Sequence, residues 1–229
     1  MEQKVKELVI GLGADLCGLA HVDDFTEAPA GFHPRDIFGD CRSVLVLAKR
    51  MPRGTGRVNP RIVYNKANEM NIAEVDRLSF AAALALEELG ALAVPLPADG
   101  PYDYWEEENL RGQGLISMRH AAVLAGLGRL GRNTLLINQK LGNMITLGVV
   151  LTDLDLKSDP LADELCLPNC RRCRESCPTG ALGDVSADQK RCRPHTYGSN
   201  SRGFGVINCN SCRTVCPLSF GLLDRPGPH

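Results

Sequence analysis

The chain carries C-x3-C-x2-C-x3-C-P at Cys166, Cys170, Cys173, Cys177 and Pro178, a lone Cys192, and C-x2-C-x3-C-P at Cys209, Cys212, Cys216 and Pro217. The segment around them is rich in turn residues and poor in aliphatic ones, so it cannot bury a core unaided. Small units of this kind need staples. The N-terminus MEQKVKELVIGLGADL has no apolar core followed by a small-residue cleavage site, and the chain reads as cytoplasmic, where thiols stay reduced. Thiolate ligation of metal is then the expected use of these cysteines. The bacterial ferredoxin run is C-x2-C-x2-C-x3-C-P, whose fourth cysteine ligates the other cluster. Transferred here, Cys166, Cys170, Cys173 and Cys216 hold one [4Fe-4S] cluster, and Cys177, Cys192, Cys209 and Cys212 hold a second. Two departures stand out. The first gap is three residues, and Val206 occupies the place of the second run's leading cysteine, so Cys192 substitutes from a distance. Two structural zinc sites are the alternative, because C-x2-C pairs serve zinc as well. The paired C-x3-C-P endings favour iron. Cys17 and Cys41 stand alone among apolar residues and read as core thiols.

A length of 229 residues with 44% hydrophobic content supports one full core and a small second unit. Composition changes near residue 157, which divides the chain into an α/β ligand domain, 1–157, and a ferredoxin-like double-cluster domain, 158–229. The first part alternates helices and strands: a helix over 2–12, strands at CGLAHV and SVLVLAK, a long helix through NEMNIAEVDRLSFAAALALEELG, then strands at ALAVPL, NTLLIN and MITLGVVLT. Ile72, Val75, Leu78, Ala82, Leu86 and Leu89 line one face of the long helix, and Gly90 ends it. The expected fold is α/β, a sheet covered by helices and followed by the small bacterial-ferredoxin-like unit. A net charge of -1 supplies no global field toward nucleic acid or membrane. No apolar run approaches the ~20 residues of a membrane span.

Within AGLGRLGRN, Gly126, Gly128 and Gly131 have the G-x-G-x-x-G spacing of a dinucleotide loop. That loop requires a strand before the glycines and a helix after them. Here a helical pattern, ISMRHAAVLAG, precedes and an apolar strand pattern follows, so the glycines read as a helix C-terminal turn. Two acid-free stretches are basic: Arg42, Lys49, Arg50, Arg53, Arg57, Arg61 and Lys66 in the first, and Arg111, Arg119, Arg129, Arg132 and Lys140 in the second. If both line one cleft, the ligand is anionic, such as a corrinoid phosphate, a nucleotide or a tRNA backbone. Otherwise they form a solvated basic surface. PYDYWEEEN reads either as a lid over a flat ligand or as an aromatic anchor on the core. His120 reads as an acid or ligand, or as a satisfied structural histidine.

HAAVLAGLGRLGRNTLLI, LGVVLTDLDL, CRRCRESCPTGAL, Arg191 with Cys192, and CNSCRTVCP span about residues 115 to 217, and in these stretches the chain resembles the epoxyqueuosine reductase family. Those are cobalamin-dependent iron–sulfur enzymes of tRNA modification, related to reductive dehalogenases. The resemblance implies two [4Fe-4S] clusters and cobalamin as cofactors and places the glycine block in the ligand domain; with the arginines of the basic stretches, the candidate ligand contacts are Arg53, Arg57, Arg119, His120, Gly126, Gly128, Arg132 and Asn133. It also implies an electron donor protein of ferredoxin or flavodoxin type, and tRNA as a partner. Family reductases carry an aspartate, proposed as a proton donor, about fourteen residues before the first glycine of the block; here that position is Gly112. The helical-repeat C-terminal extension of many members is expected to be missing. The expected function is an iron–sulfur redox protein passing electrons to a cofactor or substrate in the α/β domain. The rivals are a non-catalytic electron carrier that docks a partner protein and a zinc-stapled nucleic-acid module.

Overall fold

The computed structural model describes residues 1–58, 61–183 and 186–222. Helix α1 (Glu2–Gly11) leads into strand β1 (Leu16–His21), a short helix α2 (Pro34–Ile37), strand β2 (Ser43–Arg50) and the long helix α3 (Arg61–Glu87). Strand β3 (Ala93–Leu96), the hairpin β4 (Tyr104–Glu106) and β5 (Arg111–Gln113), helix α4 (Met118–Leu124), the hairpin β6 (Arg129–Leu130) and β7 (Leu136–Ile137), and strand β8 (Ile145–Thr152) complete the first part. The remainder holds α5 (Arg172–Glu175), α6 (Gln189–Thr196), the hairpin β9 (Tyr197–Ser199) and β10 (Gly205–Ile207), and α7 (Ser211–Thr214).

The main sheet has the order β1-β2-β8-β3, with every neighbouring pair antiparallel. Successive side chains of a strand point to opposite faces. Val44, Val46 and Ala48 of β2 therefore pack toward α4, with Ala121, Ala122, Val149 and Leu151. Leu45 and Leu47 pack toward α1 and α3, with Val5, Val9, Val75, Leu78, Leu86 and Val150. Both faces are covered, which is why β2 and β8 read as near-continuous apolar runs. The α/β expectation holds in this mixed form. The antiparallel arrangement removes the premise that a ligand sits beyond a common set of strand C-terminal ends, since a row of parallel strand ends is absent from this sheet.

Helix α3 starts at Arg61, ahead of the Asn68 at which the apolar stripe becomes legible. Arg61 and Lys66 are thereby helical rather than part of a basic loop. The first turns are fixed by tertiary contact: Tyr64 is buried with Met51 and Met144, and Asn65 Oδ1 accepts the Ile207 N–H of β10 at 2.9 Å. Propensity and period yield here to packing.

Past β8 the chain stays on the sheet. Leu156 is buried in the core, Asp159 accepts Leu19 N–H at 3.0 Å and its own N–H returns to Leu19 O at 2.9 Å, and Ser158 Oγ accepts His21 N–H at 2.7 Å. Lys6 pairs with the Asp159 carboxylate. These bonds cover the exposed edge of β1.

Gly148 of β8 lies under α3 so closely that an added Cβ would overlap Ser79 Oγ and stand 2.7 Å from Val75 Cγ1. Ser79 Oγ is itself buried with no hydrogen-bond partner among the described residues. Gly148→Ala is expected to cost about 1–3 kcal/mol in urea unfolding through overpacking. Ser79→Ala, which removes an unpaired hydroxyl, is expected to be neutral or stabilising and to relieve part of the Gly148→Ala loss in the double variant. Additive losses would show that the two sites do not touch.

Candidate functional site

The cysteine-bearing segment is built from short pieces that each orient one or two sulfurs. Cys173 lies in α5 and Cys212 in α7, and these two helices pack against each other. Cys192 lies in α6, whose start is fixed by Asp188 accepting the Arg191 N–H at 3.2 Å. The thiols sort into two neighbourhoods. Burial pushes the Cys216 thiol up, and the charges of Cys166, Cys173 and Cys170 push it further, against a lowering hydrogen bond from Leu218. Burial raises Cys173 as well, with Cys166 and Cys170 adding to it. Burial pushes Cys212 up to about 11, where the Arg213 charge opposes and Cys209, Cys192 and Cys177 reinforce the rise. Cys177 moves the other way: burial alone would raise it, but hydrogen bonds from the Thr179 hydroxyl and from the Thr179, Ala181 and Leu182 N–H groups outweigh it and favour the thiolate. The Ala181 N–H stands 3.3 Å from Cys177 Sγ. Cys166, Cys170, Cys173 and Cys216 thus form one neighbourhood, and Cys177, Cys192, Cys209 and Cys212 the other.

The turn at the end of the glycine block reaches into both. Arg132 donates to Leu167 O at 2.6 Å, to Cys170 O at 3.2 Å and to Pro168 O, and its guanidinium stands 4.0 Å from Cys166 Sγ. Asn133, 3% exposed, donates to Cys212 O at 3.0 Å and accepts from Leu135 N–H at 3.2 Å. Arg119 donates to Thr134 O at 2.6 Å, and burial together with the neighbouring Arg213 charge lowers its pKa. Arg213 in turn stands 3.7 Å from Met51 Sδ, and Met51 leads into the turn that carries Arg53. The Arg57 guanidinium lies over the Phe220 ring at 5.6 Å.

The order of helix, glycines and hairpin is the one the sequence indicates. Gly126 adopts φ +69, and a Cβ there would overlap Pro160 O. A Cβ on Gly128 would overlap Ile137 O. These glycines let backbone pack on backbone, which fills the space a phosphate would need. Among the residues expected at a ligand, Gly126 and Gly128 serve packing, and Arg132 and Asn133 grip the cysteine loops. His120 is exposed, with Nδ1 2.6 Å from Ser117 Oγ. Arg119 neighbours Arg213, Arg57 lies over Phe220, and Arg53 lies in the turn that follows Met51.

The aromatic stretch is anchored. Gln189 of α6 accepts Gly112 N–H at 3.1 Å and donates back to Gly112 O at 3.3 Å. Arg193, one turn further on, donates to Gln189 Oε1 at 2.9 Å and lies over the rings of Tyr102, Trp105 and Tyr197 at 5.0, 5.1 and 5.6 Å. A Cβ on Gly112 would stand 2.8 Å from Tyr102 and 2.9 Å from Arg193. Sequence reasoning missed Gln189 and Arg193; their i, i+4 spacing beside Cys192 was the available signal.

The two isolated cysteines lie apart from this. Cys41 is buried and its thiol is pushed up to about 11 by burial; Cys17 is pushed up to about 12, mainly by burial.

The overall fold recurs in solved structures of epoxyqueuosine reductases and a reductive dehalogenase. A reductive dehalogenase structure described as suggesting a mechanism for B12-dependent dehalogenation superposes with a TM-score of 0.72 at 19% identity, covering 93% of this chain and 31% of that one. The epoxyqueuosine reductase of Streptococcus thermophilus gives 0.69 at 18% identity, covering 99% of this chain and 69% of that one. An epoxyqueuosine reductase solved with a tRNA-Tyr epoxyqueuosine-modified stem loop gives 0.65 at 19% identity, covering 95% and 64%. In sequence, the chain is similar to the epoxyqueuosine reductases of Lactococcus garvieae, 34% identical over 120 residues, and of Bacillus anthracis, 29% identical over 210 residues. The first match covers 47% of this chain and 33% of the relative, the second 83% and 51%. The chain therefore spans about half or less of the curated relatives it matches. No protein-family model matches it. The resemblance read from the cysteine runs and glycine block is borne out.

Two predictions follow from this geometry. Arg132→Ala, and equally Arg132→Lys, which cannot span three carbonyls, should speed hydrogen exchange of the amides at 167–170. The loss of charge-assisted bonds should lower stability by about 1–3 kcal/mol; unchanged exchange would mean the loop holds itself. A raised thiol pKa leaves roughly one thiolate in a thousand or fewer at pH 8. Cys17 and Cys41 should therefore resist iodoacetamide in the native protein at that pH and react once it is unfolded in urea, as read by mass spectrometry.

Proposed function

We propose that the chain is an iron–sulfur redox protein of epoxyqueuosine reductase type, built as an α/β ligand unit over 1–157 and a ferredoxin-like unit from 158 onward. Cys166, Cys170, Cys173 and Cys216 would hold one [4Fe-4S] cluster, and Cys177, Cys192, Cys209 and Cys212 the other. The observation that carries this is the sorting of the eight thiols into two sets that alternate along the chain, with Cys216 joining the first run and Cys177 the second. Crowded thiolates repel unless cations sit among them, and soft sulfur ligands suit iron–sulfur iron. A tetrahedral zinc would draw four sulfurs to ~2.3 Å from one centre. The paired C-x3-C-P endings favour clusters, whose irons each take a separate thiolate. When bound, such clusters supply single electrons at low potential.

The acceptor for those electrons is a corrinoid or a reducible substrate on the α/β unit, by similarity to reductases whose fold this chain shares. The residues proposed to face it are Arg53, Arg57, Arg119 and His120, of which Arg119 is held by Thr134 O and His120 by Ser117 Oγ; Gly126 and Gly128 pack against backbone, and Arg132 and Asn133 hold the cysteine loops. Nucleoside-bearing tRNA is the substrate class to test first, because a similar protein was solved with a modified tRNA stem loop. A non-catalytic carrier is the second reading. Gly112, where the reductases hold an acid, offers no proton and is sealed by Gln189 and Arg193, which favours it. A partner that donates electrons, of ferredoxin or flavodoxin type, is common to both. Among the described residues no helix is long and apolar enough to cross a membrane.

Anaerobic reconstitution should yield roughly eight irons and eight sulfides per chain and reduced-cluster EPR signals. Cys173→Ala and Cys212→Ala should each remove one cluster and destabilise the segment after residue 158. Retention of both clusters by either variant would refute the ligand assignment. Titration with cob(II)alamin, followed by EPR for loss of the lower nitrogen ligand, separates the two readings: tight binding with that loss selects the reductase, and no binding beside intact clusters selects the carrier.

A further inference from the structure

We infer that the face of the Cys166–Cys173 loop is the docking site for a small acidic one-electron carrier, and that electrons enter the protein there. This rests on the cluster reading above. An open cleft of about 580 Å³ is lined by Leu167, Pro168, Cys170, Arg171, Arg172 and Pro217. A second, of about 480 Å³, adjoins it through Pro168, Asn169 and Arg171 and adds Arg132 and Arg174. Four arginines thus border the two clefts, and Glu175 is the single carboxylate among their described lining residues. Arg171 and Arg172 are exposed. The cleft wall is apolar and open to solvent, with Leu167 40% exposed beside Pro168 and Pro217. An apolar centre with a rim of one charge is the surface that steers a partner of opposite charge into a brief, small-area encounter. Weak electron-transfer complexes are of that size class.

The location decides what the partner does. Cys170 lines the cleft itself, so a docked carrier stands against a proposed cluster ligand, with no intervening element. Near the other sulfur set, the β4–β5 hairpin is fastened onto α6, which carries Cys192, through Gln189 and Arg193, and Cys212 O accepts from Asn133. Entry through the first set is what the position of Cys170 on the cleft supports. Cys166, Cys170, Cys173 and Cys216 would hold a cluster that takes up a single electron, the reduced carrier being oxidised in return. No bond is made or broken.

The test uses reconstituted holoprotein and a reduced acidic flavodoxin as the carrier, with stopped-flow cluster bleaching as the readout. Calorimetry with oxidised flavodoxin measures docking itself. Wild-type reduction should slow steeply as ionic strength rises. R171Q/R172Q should be several-fold slower at low salt, and R171E/R172E slower by about tenfold or more, with parallel weakening of binding. Reduced methyl viologen, a cation, should reduce both substituted proteins at least as fast as wild type. Salt-independent rates, or substituted proteins that bind and accept electrons from flavodoxin like wild type, would overturn the docking site. Failure of wild-type protein to assemble clusters would instead overturn the proposed function, and is read from its iron content before any carrier is added.

Discussion

Two adjacent side chains hold the molecule together as one working object. Arg132 fastens the loop around the first cysteine run, and Asn133 fastens the second run through Cys212 O. Because both project from one tight turn, the two runs are registered against each other and against the sheet by a single piece of backbone. A guanidinium suits the first task, since its fixed fork can satisfy several carbonyls at once. Burial of Asn133 suits the second, because a buried amide bond has no water to compete with it.

The sheet was legible in the sequence because each strand is an apolar run covered on both faces, and the runs at CGLAHV, SVLVLAK, ALAVPL and MITLGVVLT are the four strands found. Their antiparallel order was not legible, since period alone carries no direction. The start of α3 was hidden for a different reason: Ile62 and Val63 are exposed, so its first turns show no stripe, and a bond from the distant Ile207 holds them. For the site, spacing singled out the eight thiols of the second part. It could not tell an arginine that grips a ligand from one that grips a carbonyl. Arg132 stands among basic residues and lacks nearby acids, as an anion site would, yet its partners are three main-chain oxygens from residues more than thirty positions away.

Gly112 illustrates how an absence is filled. Where the resemblance leads one to expect an acid, this chain has no side chain at all, and a Cβ there would meet Tyr102 and Arg193. The bare backbone then becomes a two-way hydrogen-bonding partner for Gln189. A position at which the resemblance leads one to expect an acid serves here to dock two parts of the chain.

That docking has an optical consequence. The chain holds one tryptophan, and Trp105 lies against the guanidinium of Arg193, the residue next to Cys192. Its indole also donates to Glu107 at 2.6 Å and stacks on Tyr102 at an angle of 19°. Any shift of α6 changes the charge over the indole face, so the emission of this lone fluorophore is a built-in gauge of the segment that presents Cys192, readable without a label.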